Sequence, residues 1–169
     1  MEIAQSYEQL NSEYSMLMGV LGASVSKHLL DGHYTCVWAN DYYYDLIGYS
    51  RSEFESRFHN RPDEYFANNP ESWKQLVESV EGALDAGENR NTLYLRLLSP
   101  MGEPYWVKLQ AAFTDEEIDG SRVAYTIMTD VTEMVEAKQQ REETRQAAEK
   151  IANEQDMLMS ALRVSISKH

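Results

Sequence analysis

Residues 16–28, MLMGVLGASVSKH, are nearly written a second time: residues 157–169 read MLMSALRVSISKH, and eight of the thirteen positions are identical. The offset is far longer than any solenoid repeat, so it marks a duplicated domain together with the helix leading into it. That feature sets the layout. An amphipathic helix is expected over 1–22, one domain over 23–132 and an outgoing helix over 133–163. The truncated start of a second domain copy is expected at 164–169, and the parent protein is then a tandem array.

The first segment repeats apolar residues at helical spacing. Ile3, Tyr7, Leu10, Tyr14, Leu17 and Leu21 form an a/d seam. Carried into the second copy, the register falls on Thr144, Ala148, Ile151, Gln155, Leu158 and Leu162, a weaker seam of the same phase. Two seams in one register favour parallel pairing of two chains, through Leu10, Tyr14, Leu17 and Leu21 at one end and Ile151 and Leu158 at the other. Small and polar residues in the second seam make a marginal coil, which modest free energies can re-register.

Between the seams the period changes twice. Gly22 ends the first helix, and residues 24–30 and 34–39 flank Asp31-Gly32 as a hairpin. Asn40 caps a short helix over DYYYDLI that Gly48 closes. Of its three consecutive tyrosines, one is expected in the core. Ser50 and Glu53 have capping-box spacing before a helix over 51–58, and a single turn follows at 62–66. Residues 71–86 place Trp73, Leu76, Val77, Val80 and Leu84 on one helical face. Three meander strands follow at 92–99, 105–114 and 121–129, with turns at 100–103 and 115–120. The class is α+β: a five-stranded antiparallel sheet with short helices on one face and a long helix at each end.

Composition removes several function classes. A 43% hydrophobic chain of 169 residues can build a core. A net charge of −13 argues against nucleic-acid binding, and neither a Lys/Arg-rich surface helix nor an apolar run of roughly 20 residues suggests membrane contact. The single Cys36 cannot form an internal disulfide and lies in an apolar run, which fits a small buried hydrophobe and a reducing, cytoplasmic setting. There is no P-loop, nucleophile elbow, zinc spacing or HExxH, so no catalysis is expected of this chain.

The element order, with particular residues at its joints, resembles the PAS domain family. Asn40 ends the second strand, Gly48-Tyr49-Ser50 divides two short helices, and Gly102 and Trp106 frame the turn into the fourth strand. Asp130-Val131-Thr132-Glu133 closes the last strand. The resemblance covers about residues 23–133 and implies a sensory or signal-transmitting module of a bacterial protein. Asp130 and Thr132 are then its relay to the outgoing helix. The effector is expected to be a cyclic-dinucleotide synthase or hydrolase, or failing that a histidine kinase, and the partners a second copy in parallel plus adjacent PAS and effector domains.

The same resemblance points Leu93, Leu95, Leu97, Val107, Leu109, Ala111, Thr126 and Met128 inward, and of these Leu95, Leu97, Val107, Leu109, Thr126 and Met128 would line any pocket. Apart from Thr126 they are apolar, so a self-filled core without cofactor is expected, and an unidentified small ligand is the alternative. Photosensory relatives place a reactive Cys beside Asn and Arg; here Asn60 and Arg61 have none, which disfavours flavin. Haem is disfavoured because residues 71–86 contain no His, and His59 is a lone loop residue. His28 recurs as His169 and is taken as a mark of duplication. Trp106, Lys108, Gln110, Tyr125 and Ile127 are expected on the opposite sheet face, which the first helix covers in PAS dimers, so that Leu17, Val20 and Leu21 could pack there. A passive assembly module is the competing function.

Overall fold

The computed structural model of the chain describes residues 2–167, apart from the side chains of residues 2–8 and 11. It divides into two compact units, one reaching Val131 and one starting at Thr132. In the first unit α1 (Glu2–Leu21) leads into β1 (Ser24–Leu29) and β2 (Cys36–Ala39). Three short helices follow, α2 (Asp41–Ile47), α3 (Arg51–Phe58) and α4 (Pro62–Tyr65), then a 3₁₀ turn at Phe66–Asn68 and α5 (Pro70–Asp85). The strands β3 (Arg90–Leu98), β4 (Pro104–Ile118) and β5 (Ser121–Asp130) complete a five-stranded antiparallel sheet in the order β2-β1-β5-β4-β3. The second unit is one helix, α6 (Thr132–Ser167), with no buried residue.

The joints are built as their side chains dictate. Asn40 caps α2 by accepting from Tyr43 N at 3.2 Å, and it also accepts from Val25 N at 3.0 Å and donates to Ala23 O at 2.9 Å. One amide side chain thus ties the start of β1 to α2. Ser50 and Glu53 form the complete capping box. Gly48 ends α2 at φ +83°, and a Cβ there would lie 2.8 Å from the Pro100 ring, so the helix end and the β3–β4 turn meet where only glycine fits.

Three expectations need correction. β1 and β2 pair as the expected antiparallel hairpin, but β1 ends at Leu29 and β2 starts at Cys36, so their connection is longer than expected. The Asp31 carboxylate accepts from the His33 and Thr35 amides and the Thr35 hydroxyl, which organises a wider loop. The tight turn lies instead at Asp119-Gly120, both at positive φ, so β4 runs on to Ile118 where a six-residue turn was expected. Two of the consecutive tyrosines are buried, Tyr43 and Tyr44, both in edge-on contact with Phe54. Leu17, Val20 and Leu21 are exposed in the single chain. Tyr14, Ser15, Met18 and Gly19 are the α1 residues that face the sheet, across an open cleft.

The two copies of the repeat differ in structure. Ser24, Val25 and Ser26 are strand, whereas their counterparts Ser165, Ile166 and Ser167 are the last turn of α6. Gly22, at φ +60°, breaks the first helix; its counterpart Arg163 is a good helix former and lets α6 continue. In β1 the segment is also held between β2 and β5. The segment 164–169, expected as the start of a second copy, is helical through Ser167, and residues 168–169 lie outside the described residues.

Candidate functional site

Strand alternation gives the sheet two unlike faces. On the inner face Leu93, Leu95 and Leu97 of β3, Val107, Leu109, Ala111 and Phe113 of β4, and Ala124, Thr126 and Met128 of β5 are buried. Ile47 of α2, Tyr65 of α4 and Leu76 and Val80 of α5 close over them. Asn69 Nδ2 and Ser72 Oγ both donate to Arg96 O, at 2.9 and 2.7 Å, and fasten the start of α5 to β3. Of the six residues named as pocket-lining, five line a small internal cavity of about 70 Å³, and Val107 is fully buried beside them without lining it.

Sequence reasoning missed the cavity's polar wall. His28 is the fifth residue of β1 and lines the cavity with Tyr34, Tyr43 and Tyr65. The available signal was the alternation itself: Ser24, Ser26 and His28 share the inner face, so the histidine had to be buried. Its Nδ1 is 2.7 Å from Tyr34 O and its Nε2 is 2.8 Å from Ser26 Oγ, which lies 2.5 Å from Thr126 Oγ1. Burial holds the imidazole below its usual pKa, against the opposing pull of the Tyr34 carbonyl. Among the described residues, the buried side-chain atoms without a hydrogen-bond partner are Ser24 Oγ and Tyr65 Oη. The neighbouring Tyr105 hydroxyl is spent on Leu46 O at 2.7 Å.

The outer face is basic and aromatic. Lys27, Arg90, Arg96 and Lys108 alternate along it with Trp38, Tyr94, Trp106, Tyr125 and Ile127. Lys27 bonds Glu116 at 2.7 Å, and Glu116 also accepts from the Tyr125 hydroxyl at 3.0 Å. Asp130 ends β5 opposite Val107, and Val131 N donates to Trp106 O at 2.9 Å, which carries the ladder to the end of the first unit. Thr132 is the first residue of α6. The seam residues Leu10, Tyr14, Leu17 and Leu21 on α1, and Ile151 and Leu158 on α6, are all exposed in the single chain.

Solved structures share this architecture. The PAS domain of a protein from Colwellia psychrerythraea matches with a TM-score of 0.57 at 16% identity, over 73% of this chain and 98% of that one. A sensory box histidine kinase/response regulator from Burkholderia thailandensis E264 matches with a TM-score of 0.60 at 12% identity, over 81% and 98%. The chain has the PAS fold. A third match, an RNA-binding light-oxygen-voltage receptor, has a TM-score of 0.57 at 19% identity over 78% of this chain and 38% of that one. No family model and no curated protein matches the sequence.

Flavin and haem are the two cofactors that the sequence disfavours. Cofactor sites measure roughly 300–1,000 Å³, and the interior cavity is about 70 Å³. Cys36 does not line it; the thiol bonds Trp38 O at 3.4 Å, and burial pushes it up to about 11. No Cys, Asn or Gln lines the cavity. Haem meets the same volume limit, and both nitrogens of the buried His28 are already engaged. His59, at the end of α3, is exposed and paired with Glu64 Oε2 at 2.8 Å. Among the described residues no group of three or more His, Cys, Asp or Glu could hold a metal ion. No described helix is long and apolar enough to cross a membrane.

Proposed function

We propose that this chain is a sensory, signal-transmitting PAS module that works as a parallel homodimer and holds no cofactor. The observation that carries the reading is a matched pair of uncovered surfaces. The α1 sequence has three glutamates and no Lys or Arg, and exposes Leu10, Leu17, Val20 and Leu21. The outer sheet face exposes Trp38, Tyr94, Tyr125 and Ile127 beside Arg90 and Arg96, in a chain of net charge −13. An acidic apolar helix suits a basic aromatic sheet, so α1 of each copy covers the outer face of the other. Pairing along α6 through Ile151 and Leu158 gives the second point of contact.

In this reading the signal leaves through Asp130 and Thr132, at the joint where β5 gives way to α6, as a change in the coil. Replacing Thr144 with Ile and Gln155 with Leu strengthens the coil and locks the output. The parent is a cytoplasmic bacterial signalling protein whose effector makes or hydrolyses a cyclic dinucleotide, with a histidine kinase the next choice. The partners are self and adjacent domains, with no nucleic acid, no membrane contact and no catalysis by this chain. The test is disulfide trapping of Leu158→Cys in a Cys36→Ser background. A parallel pair gives a covalent dimer under mild oxidation, and an antiparallel or unpaired α6 gives none. A small-ligand sensor is the second reading, favoured by the cavity and the partnerless Tyr65 hydroxyl.

A further inference from the structure

The inner face of β1 is unlike the rest of the core: Ser24, Ser26 and His28 stand where the other strands present mostly Leu, Val, Ala and Met. The hydrogen bonds among these groups admit one proton order while the imidazole is neutral. Tyr34 O can only accept, so Nδ1 carries the ring proton and donates it at 2.7 Å. Nε2 is then a lone pair, and Ser26 Oγ at 2.8 Å donates to it. With its single proton spent there, Ser26 accepts from Thr126 Oγ1 at 2.5 Å. The chain runs Thr126 to Ser26 to His28 to Tyr34 O, and it links β5, β1 and the β1–β2 loop.

A second ring proton cannot be fitted into that order. Nε2–H has to donate to Ser26 Oγ, which turns the Ser26 proton toward Thr126 and takes from the Thr126 hydroxyl the acceptor it had on Ser26. The new charge is buried with no ion partner. The groups facing His28 are the Tyr43 ring of α2, 6.0 Å away, Cys36 opposite it on β2, Ala124 opposite it on β5, and Tyr34 of the loop. Tyr34 in turn packs on Trp73 of α5 and feels the Glu81 carboxylate. The nearest acid to the ring is Asp31, whose carboxylate is occupied by the loop amides and the Thr35 hydroxyl. Opening the loop gives up the bond to Tyr34 O, which favours the charged ring, in exchange for water and Asp31.

We propose that His28 is an internal proton sensor: uptake of a proton at mildly acidic pH breaks the Thr126–Ser26–His28 chain and releases the 30–35 loop from the sheet. The device does not depend on whether the chain dimerises. Its sign follows from burial, which lowers the ring's pKa in the folded state. Above the ordinary histidine value the closed loop is fully stable, and that stability is lost as pH falls, because only the open or unfolded chain takes the proton. Every residue that β1 contributes to the chain recurs in the repeat, as Ser167 and His169.

Nitrogen-15 NMR of the His28 ring, combined with amide hydrogen exchange in the same sample, tests this. At about pH 7.5 the ring is expected neutral with its proton on Nδ1. Between about pH 7.5 and about pH 5, amides of residues 30–36 are expected to gain about tenfold or more in exchange after correction for intrinsic rates, with the midpoint of ring protonation. In His28→Gln, which cannot titrate, the gain is expected to disappear. An Nε2–H tautomer at neutral pH, ring protonation without loop opening, a ring that stays neutral with a closed loop to about pH 4.5, or loop opening that persists in His28→Gln each overturns the proposal. Where the variant does not fold, coincidence or separation of the two midpoints in the unaltered protein decides it.

Discussion

The two faces of the sheet are made by the same strands from alternate residues, and they do different work. Odd positions on β3 and β4, such as Leu95, Leu97 and Val107, are sealed from water, while the even neighbours Tyr94, Arg96 and Lys108 belong to the face that α1 leaves uncovered. The inner face has almost no spare volume, so its chemistry is that of a packed core. The outer face has charge, aromatic rings and room, so its chemistry is that of a surface awaiting a partner. A one-residue step along a strand separates stability from recognition.

The comparison can be broken most violently from the inside. Val107→Asp puts a carboxylate at a position with no exposure, and loss of the folded state is the expected result by circular dichroism. Leu95→Ala should cost about 2–5 kcal/mol in denaturant unfolding. Gly48→Ala comes next, at about 1–3 kcal/mol, because the left-handed φ of +83° and the Pro100 ring 2.8 Å away both oppose a Cβ. On the outer face Ile127→Glu should leave unfolding within about 0.5 kcal/mol and yet weaken self-association measurably in sedimentation. Equal effects of Leu95→Ala and Ile127→Glu on unfolding would abolish the distinction.

The smallest effect belongs to the Asp31 loop. Burial raises the carboxyl pKa, but the Thr35 hydroxyl and the Thr35 and His33 amides outweigh it, and the net value lies below the usual carboxylate range. The loop therefore holds its full stability above the ordinary aspartate pKa and loses it as pH falls through the lowered value. Asp31→Asn should flatten that acid limb by less than about 1 kcal/mol in urea unfolding at low pH, since the group is partly screened.

Much of the fold could be read from local chemistry. The Ser50–Glu53 capping box, the Gly48 stop and the apolar stripe of α5 lie within one turn of the residues that announce them, and the element order emerged from them. What was misread depends on distance. Asp31-Gly32 and Asp119-Gly120 carry the same turn signal, but only the second lies between strands long enough to zip up to it; the first is diverted by the bonds its own carboxylate makes to Thr35 and His33. The residues Ser-Val-Ser form a strand in one context, and Ser-Ile-Ser form a helix in the other, because Gly22 and the flanking strands are absent from the second. His28 carried no motif and was visible only through the parity of β1. The cavity it helps to line depends on side-chain volumes from eight elements, which no single stretch of sequence contains.

The most direct test of the account is the molar mass of the purified chain by light scattering over a range of concentrations. The account predicts a mass twice that of the 19.5 kDa chain, reduced toward the single-chain value by Ile127→Glu. A mass of one chain at every concentration would contradict it, since both the α1-on-sheet contact and the α6 seam would then be without a partner.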